Sequence, residues 1–215
     1  MKLAIVVPVL TQFQMFTEMM ATVDVEHRLY VIESYRENNG VSWAWNTGMD
    51  RALADGYEYA LICNDDIWFE PGAIGKMYNT IIKTGAVLVS PNQNGNLPQD
   101  GVVPGADFFC FMVDIKQLLE KCGRFDHNFW PAYFEDNDMH WRINLAGATA
   151  LMNRDAIVYH HGSATQNAIP AFPVTPPEQF LNNMRYYVEK WGGEPGKECF
   201  EHPYNNPALS IKDFR

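Results

Sequence analysis

The chain has 215 residues, 47% of them hydrophobic, and a formal net charge of −10 from 16 basic and 26 acidic side chains. That length supports one well-filled α/β core, and an acidic balance without a lysine or arginine run excludes the electrostatic footprint of a nucleic-acid or anionic-membrane binder. Cys63, Cys110, Cys122 and Cys199 are widely scattered, which favours a reduced, cytoplasmic setting over a disulfide framework.

In MKLAIVVPVL a lysine precedes an apolar stretch, as in a signal peptide. Pro8 interrupts the run, however, and no small-residue cleavage site follows, so residues 3–9 read as a buried parallel strand. Further strands are expected at 29–32, 60–63, 86–90, 108–113 and 156–160, several of them uninterrupted by polar residues and therefore covered on both faces. Between them, helices are expected over 11–21, with Phe13, Phe16 and Met20 on one face, over 42–55, closed by Gly56, and over 114–122, closed by Gly123. EDNDMHWRINLAG carries carboxylates in its first turn and Gly147 as a left-handed cap. In TPPEQFLNNMRYYVEKWGG, Thr175 and Glu178 predict a capping box with Pro176 at the first helical position, and Phe180, Met184, Tyr187 and Trp191 share a face. Such alternation predicts an α/β fold with a mainly parallel central sheet and ligands at the carboxyl ends of its strands. No segment approaches the roughly 18 apolar residues of a membrane span. Two long loops, 90–105 and 161–177, have the length of binding loops or lids.

Three short segments concentrate the polar chemistry. ICNDDIWF ends an apolar strand in Asn64, Asp65 and Asp66, where two hard oxygen donors suit Mg2+ or Mn2+; the alternative is a solvated turn or helix cap. Glu135, Asp136 and Asp138 form a second acidic cluster: Asp138 pairs with Arg142 at i, i+4, and Asp136 has the chemistry of a general base if it faces Asp66. His160 and His161 close the last strand, where a neutral imidazole would complete a borderline metal's coordination; either is otherwise a structural histidine. In NTGMDRALADG, Gly48 and the alanines allow close helix-to-sheet packing, leaving the Asn46 amide to reach a nucleotide or the acidic loop. Walker, dinucleotide and G-x-S-x-G patterns are absent.

These segments in this order resemble the family-two glycosyltransferases of GT-A fold: AIVVPVL, NNGVSWAWNTGMDRAL, ICNDDIWFEPGAI, GRFDHNFWPAYFEDNDMHWRINLAG and VYHHGSAT. The resemblance implies one Rossmann-like domain over 1–215, with a nucleotide-binding half at 1–90, an acceptor and catalytic half at 91–165, and a lid loop and appended C-terminal helix at 166–215. It makes Asp66 the residue that coordinates Mn2+ or Mg2+, puts Asn64 and Asp65 near ribose and donor sugar, and makes Asp136, beside Glu135, the catalytic base of an inverting transfer. It also makes His160 the further metal ligand, with His161 as substitute, and assigns Pro8, Val9, Glu33 and Asn46 to the nucleotide. Asp107, beyond the 91–105 loop, joins the donor-binding set and borders the acceptor side. The sequence departs from the family pattern at Asn64, where many members carry aspartate, and after the second strand, where only Glu33 precedes Ser34. The implied donor is a UDP-sugar, or a TDP- or GDP-sugar, and the implied acceptor a glycan, a lipid-linked glycan or a protein. Two other functions compete: a sugar-nucleotide binding module of the same fold, and a nucleotidyltransferase, which would need a lysine or arginine near the phosphates.

Overall fold

An eight-stranded sheet runs through the computed structural model, which describes residues 2–10, 13–34, 37–162, 164 and 175–214. The elements are β1 (Leu3–Val9), α1 (Phe13–Met20), β2 (Arg28–Glu33), α2 (Val41–Ala54), β3 (Tyr59–Cys63), β4 (Ile67–Phe69), α3 (Ala73–Thr84), β5 (Leu88–Gln93) and β6 (Val102–Pro104). They continue with β7 (Cys110–Asp114), α4 (Ile115–Lys121), α5 (Glu135–Leu145), β8 (Ala150–His160) and α6 (Pro177–Trp191). The sheet order is β2-β1-β3-β7-β5-β8-β4, with β6 on β8. β1, β2, β3, β5 and β8 run in one direction and β7, β4 and β6 in the other.

Side chains along the central strands alternate between two apolar layers, as the strand period of two requires. On β1, Ala4 and Val6 face a core shared with α2, α4 and α5, whereas Leu3, Ile5, Val7 and Val9 face a core shared with α1 and α3. A third cluster, built on Phe129, Phe134, Tyr187 and Trp191, attaches α6 to the loop before α5. No helix of the described residues is long and apolar enough to cross a membrane.

The predicted elements form, with shifted bounds. α3, β4 and β6 add to them. α3 lies between Gly72 and Gly85, both left-handed, without a capping side chain to announce it. β4 and β6 are three residues each and exist through pairing with β8, a partner remote in sequence. At α6 the N-cap position falls on Pro176, one residue later than the expected Thr175, and carries no side-chain cap bond. Phe180, expected on the buried face, is 38% exposed, and Asn183 and Lys190 are buried beside Tyr187 and Trp191. The expected lid loop lies outside the described residues except for Gly162, Ala164, Thr175 and Pro176.

Gly48 fixes the distance of α2 from the sheet. A Cβ there would stand 2.1 Å from Cγ1 of Val6, so helix and strand would have to separate. Gly48→Ala is expected to cost about 1–3 kcal/mol through overpacking, read as a lower denaturant midpoint.

Candidate active site

A cleft of about 410 Å3 opens at the carboxyl ends of β1, β2 and β3. Pro8, Val9 and Ser34 line one end, Asn64, Asp65, Asp66 and His160 its floor, and Tyr133, Glu135 and Asp136 the far side. Trp45, Phe108 and Phe109 complete it with aromatic surface.

The floor depends on the register of β4. Asp65 and Asp66 occupy the turn between β3 and β4, and antiparallel pairing sets Ile67 opposite His160 on β8. Asp66 Oδ1 therefore lies 3.2 Å from His160 Nε2, and Asp66 Oδ2 accepts a hydrogen bond from the Ala164 N–H at 3.3 Å. The His160 ring is stacked on Phe109 at 4.7 Å with 10° between planes, and its Nδ1 lies 3.3 Å from the Gln93 amide. Gln93 reaches it because a bulge between Pro91 and Asn92 shifts β5 against β8. The Asn64 amide lies 3.4 Å from the same His160 Nε2.

Neither aspartate sits in a solvated turn, since both are 4% exposed. Burial, and behind it the charge of Asp66, pushes the Asp65 carboxyl up to about 7, and its Oδ2 is buried without a hydrogen-bond partner. Burial also opposes ionisation of Asp66, but the hydrogen bond and charge of His160, with the Ala164 N–H, outweigh it and hold that carboxyl below its usual value. A low-pKa carboxylate and an imidazole nitrogen 3.2 Å apart stand as far from each other as adjacent ligands of one octahedral ion with bonds of about 2.1–2.3 Å. Gln93 meets Nδ1 through its amide nitrogen; turning that amide over would present its oxygen to Nδ1–H and leave the Nε2 lone pair for that ion. Among the described residues no three His, Cys, Asp or Glu side chains gather as a complete ligand set.

On the far side, α5 begins with the acid pair. Burial, then the charge of Asp136, drives the Glu135 carboxyl well above its usual range, and its Oε2 has no hydrogen-bond partner. Burial also raises Asp136, whose Oδ1 accepts the Asn137 N–H at 2.8 Å; His140 lowers it and Asp107 raises it. A carboxyl with a raised folded pKa lends stability that is complete below its unfolded pKa and is lost as pH rises through the folded value. Thermal unfolding measured upward from about pH 4 should therefore show a less negative slope of Tm against pH in Glu135→Gln than in the parent chain.

The remaining predicted residues lie elsewhere. Glu33 is exposed at the end of β2, and Asp107 is exposed outside the cleft lining but electrostatically coupled to Asp136. His161 is exposed and contributes its backbone N–H to the Asp66 carbonyl at 3.0 Å. Asn46 does not reach the cleft: its amide donates to the Phe125 carbonyl at 2.8 Å, accepts from the Phe125 N–H at 3.0 Å and meets His127 Nε2 at 2.7 Å. It clamps the 123–127 loop over α2. Gln93, Trp45, Phe108, Phe109 and Tyr133 escaped the sequence reading; the aromatic density of FWPAYFED was the available signal for Tyr133, and nothing local marked Gln93.

Residues 23–157 of the 215 match the family model described as glycosyl transferase family 2. The chain belongs to glycosyl transferase family 2. No curated protein matches it in sequence. Among solved structures it is similar to a fragment of S. aureus TarS, at 14% identity and TM-score 0.60, covering 87% of this chain and 64% of that one. GalNAc-T7 with UDP, GalNAc and Mn2+ aligns at 10% identity and TM-score 0.67, over 88% of this chain and 48% of that one. A mutant of Drosophila beta-1,4-galactosyltransferase 7 with manganese, UDP-Gal and xylobiose aligns at 15% identity and TM-score 0.59, over 81% and 75%. At these identities the likeness is one of fold. This family-2 chain thus spans less than two thirds of the TarS fragment's length.

Proposed function

We propose that the chain is a metal-dependent, inverting glycosyltransferase that moves a sugar from a nucleoside-diphosphate donor to an acceptor hydroxyl. The observation that supports it most is the 3.2 Å approach of Asp66 to His160 on the floor of a cleft that Asp136 also lines. The family match and the UDP and Mn2+ held by GalNAc-T7 agree with a UDP-sugar as donor. In this reading residues 1–90 bind the nucleotide, 91–165 the acceptor, and 166–215 complete the site. The free cysteines among the described residues fit a reducing, cytoplasmic setting.

Asp66 and His160 would hold Mn2+ or Mg2+, whose charge would neutralise the donor diphosphate and ease its departure. The cleft lining includes no lysine or arginine among the described residues, so the phosphates have no cationic side chain there. Pro8, Val9 and Ser34 offer the nucleoside an apolar edge and a hydroxyl at the strand ends, and Asn64 and Asp65 face the ribose and sugar. Asp136 takes the acceptor proton as the hydroxyl oxygen forms its bond to the anomeric carbon. The carbon–phosphate oxygen bond breaks on the opposite face, and the nucleoside diphosphate leaves with that electron pair. A raised pKa strengthens Asp136 as a base, and the aromatic walls exclude water that would hydrolyse the donor.

A thermal-shift panel of UDP, GDP, TDP and CMP, each with Mn2+, Mg2+ or chelator, tests donor class and metal dependence together. The expected outcome is stabilisation by UDP only when the metal is present; indifference to every nucleotide would contradict the proposal. The anomeric configuration of the product, read by NMR, tests inversion.

A further inference from the structure

The family match ends at residue 157, so α6 and the tail to residue 214 lie beyond it. Yet α6 grips the acid-bearing segment at two points. Midway along the helix Asn183, 1% exposed, donates to the backbone carbonyls of Ala132 and Tyr133 at 2.9 and 3.3 Å, both residues of the cleft wall. Near its C-terminus Lys190, 0% exposed, places Nζ 2.7 Å from Asp126 Oδ2 and 2.7 Å from Asp138 Oδ1. Asp138 stands two residues after Asp136 in the first turn of α5, and it also accepts the Trp191 indole N–H at 2.8 Å and meets Arg142 at 2.6 Å. Tyr186 donates to Asp126 at 2.8 Å, and the Phe214 ring lies 4.1 Å from Lys190 Nζ.

We propose that α6 is a positioning element of the active site, with Lys190 and Asn183 as the residues through which it sets the place and charge of the Tyr133–Asp136 segment. The inference rests on the reading of Asp136 as base. A lysine taken wholly out of water is costly unless its partners are fixed, and here they fix two elements at once: the 123–127 loop through Asp126 and α5 through Asp138. A solvating role is excluded by burial, and apolar packing alone would be served by a leucine. Lys190 also offsets the Asp138 charge, which bears on the Glu135–Asp136 acid pair through Glu135. The other groups facing Asp136 are Glu135 and His140 on its own helix, Asp107 before β7, and Tyr187 from α6.

The test compares the parent chain with Lys190→Arg, Lys190→Met and the charge-balanced pair Asp126→Asn with Lys190→Met, which keeps a folded comparison available where the single methionine variant fails to fold. Two readouts need no substrate: the 13C titration midpoint of the Asp136 carboxyl, and hydrogen exchange of amides 133–138. The paired variant should raise the Asp136 midpoint by about half a unit or more and speed that exchange roughly tenfold. Lys190→Arg should restore both, and exchange in β1 and β3 should not change. An unchanged midpoint and unchanged exchange in a folded paired variant would overturn the proposal. Binding of UDP with Mn2+ to the parent chain, measured in parallel, should persist in the paired variant within about twofold; its absence in the parent would count against the glycosyltransferase reading and not against the role of α6.

Discussion

Asp136→Asn is expected to lower glycosyl transfer about a hundredfold to ten-thousandfold while leaving the affinity for UDP with Mn2+ unchanged. The amide is nearly isosteric and can keep the hydrogen bond from the Asn137 N–H, so the start of α5 should retain its conformation. What is lost is the capacity to accept the acceptor proton. The parent enzyme should show an acid limb in its pH–rate profile above the ordinary carboxylate range, because burial raises Asp136 and transfer requires it ionised. That limb should vanish in the asparagine variant. Unchanged transfer would remove Asp136 as base, and a loss of UDP binding in step with activity would mean the substitution had disturbed the cleft as a whole.

The second large effect concerns stability. Asp138→Ala is expected to cost about 3–5 kcal/mol, or to prevent folding, because it takes from the buried Arg142 its carboxylate and from the buried Lys190 one of its two. Asp138, Arg142 and Lys190 are each 0% exposed. Without Asp138, among the described residues Arg142 keeps the carbonyls of Cys122, Arg124 and Ile211, at 2.9, 2.6 and 3.4 Å, and Lys190 keeps the Asp126 carboxylate and the Phe214 ring. Urea unfolding with an unchanged m-value and a lower midpoint would measure that loss. The exposed Lys116–Glu58 pair offers the contrast: its side chains are 64% and 58% exposed, and breaking it should leave the midpoint where it was.

How far these features were legible follows from the range of the interactions that create them. β1 and β3 were readable because a strand covered on both faces writes an unbroken apolar run. The Asp138–Arg142 pair was readable because i, i+4 spacing on a helix is a local rule. The meeting of Asp66 with His160 could be expected only through family resemblance, since it depends on three residues of β4 finding the register of β8. Asn46 shows the limit of residue chemistry alone: an amide satisfies a nucleotide or a loop equally well, and the fold of 123–127 over α2 decided for the loop. Lys190 shows the same limit, since a lysine on an amphipathic helix reads as solvated. Only the packed neighbours Asp126 and Asp138 reveal that it is enclosed.

The most direct test of the metal-bound donor is a Mn2+ titration followed by electron paramagnetic resonance, with and without UDP, on the parent chain, Asp66→Asn and His160→Ala. The proposed site requires uptake of Mn2+ that UDP strengthens in the parent chain and that both substitutions abolish or weaken severely. Mn2+ and UDP binding that is indifferent to both substitutions would contradict it.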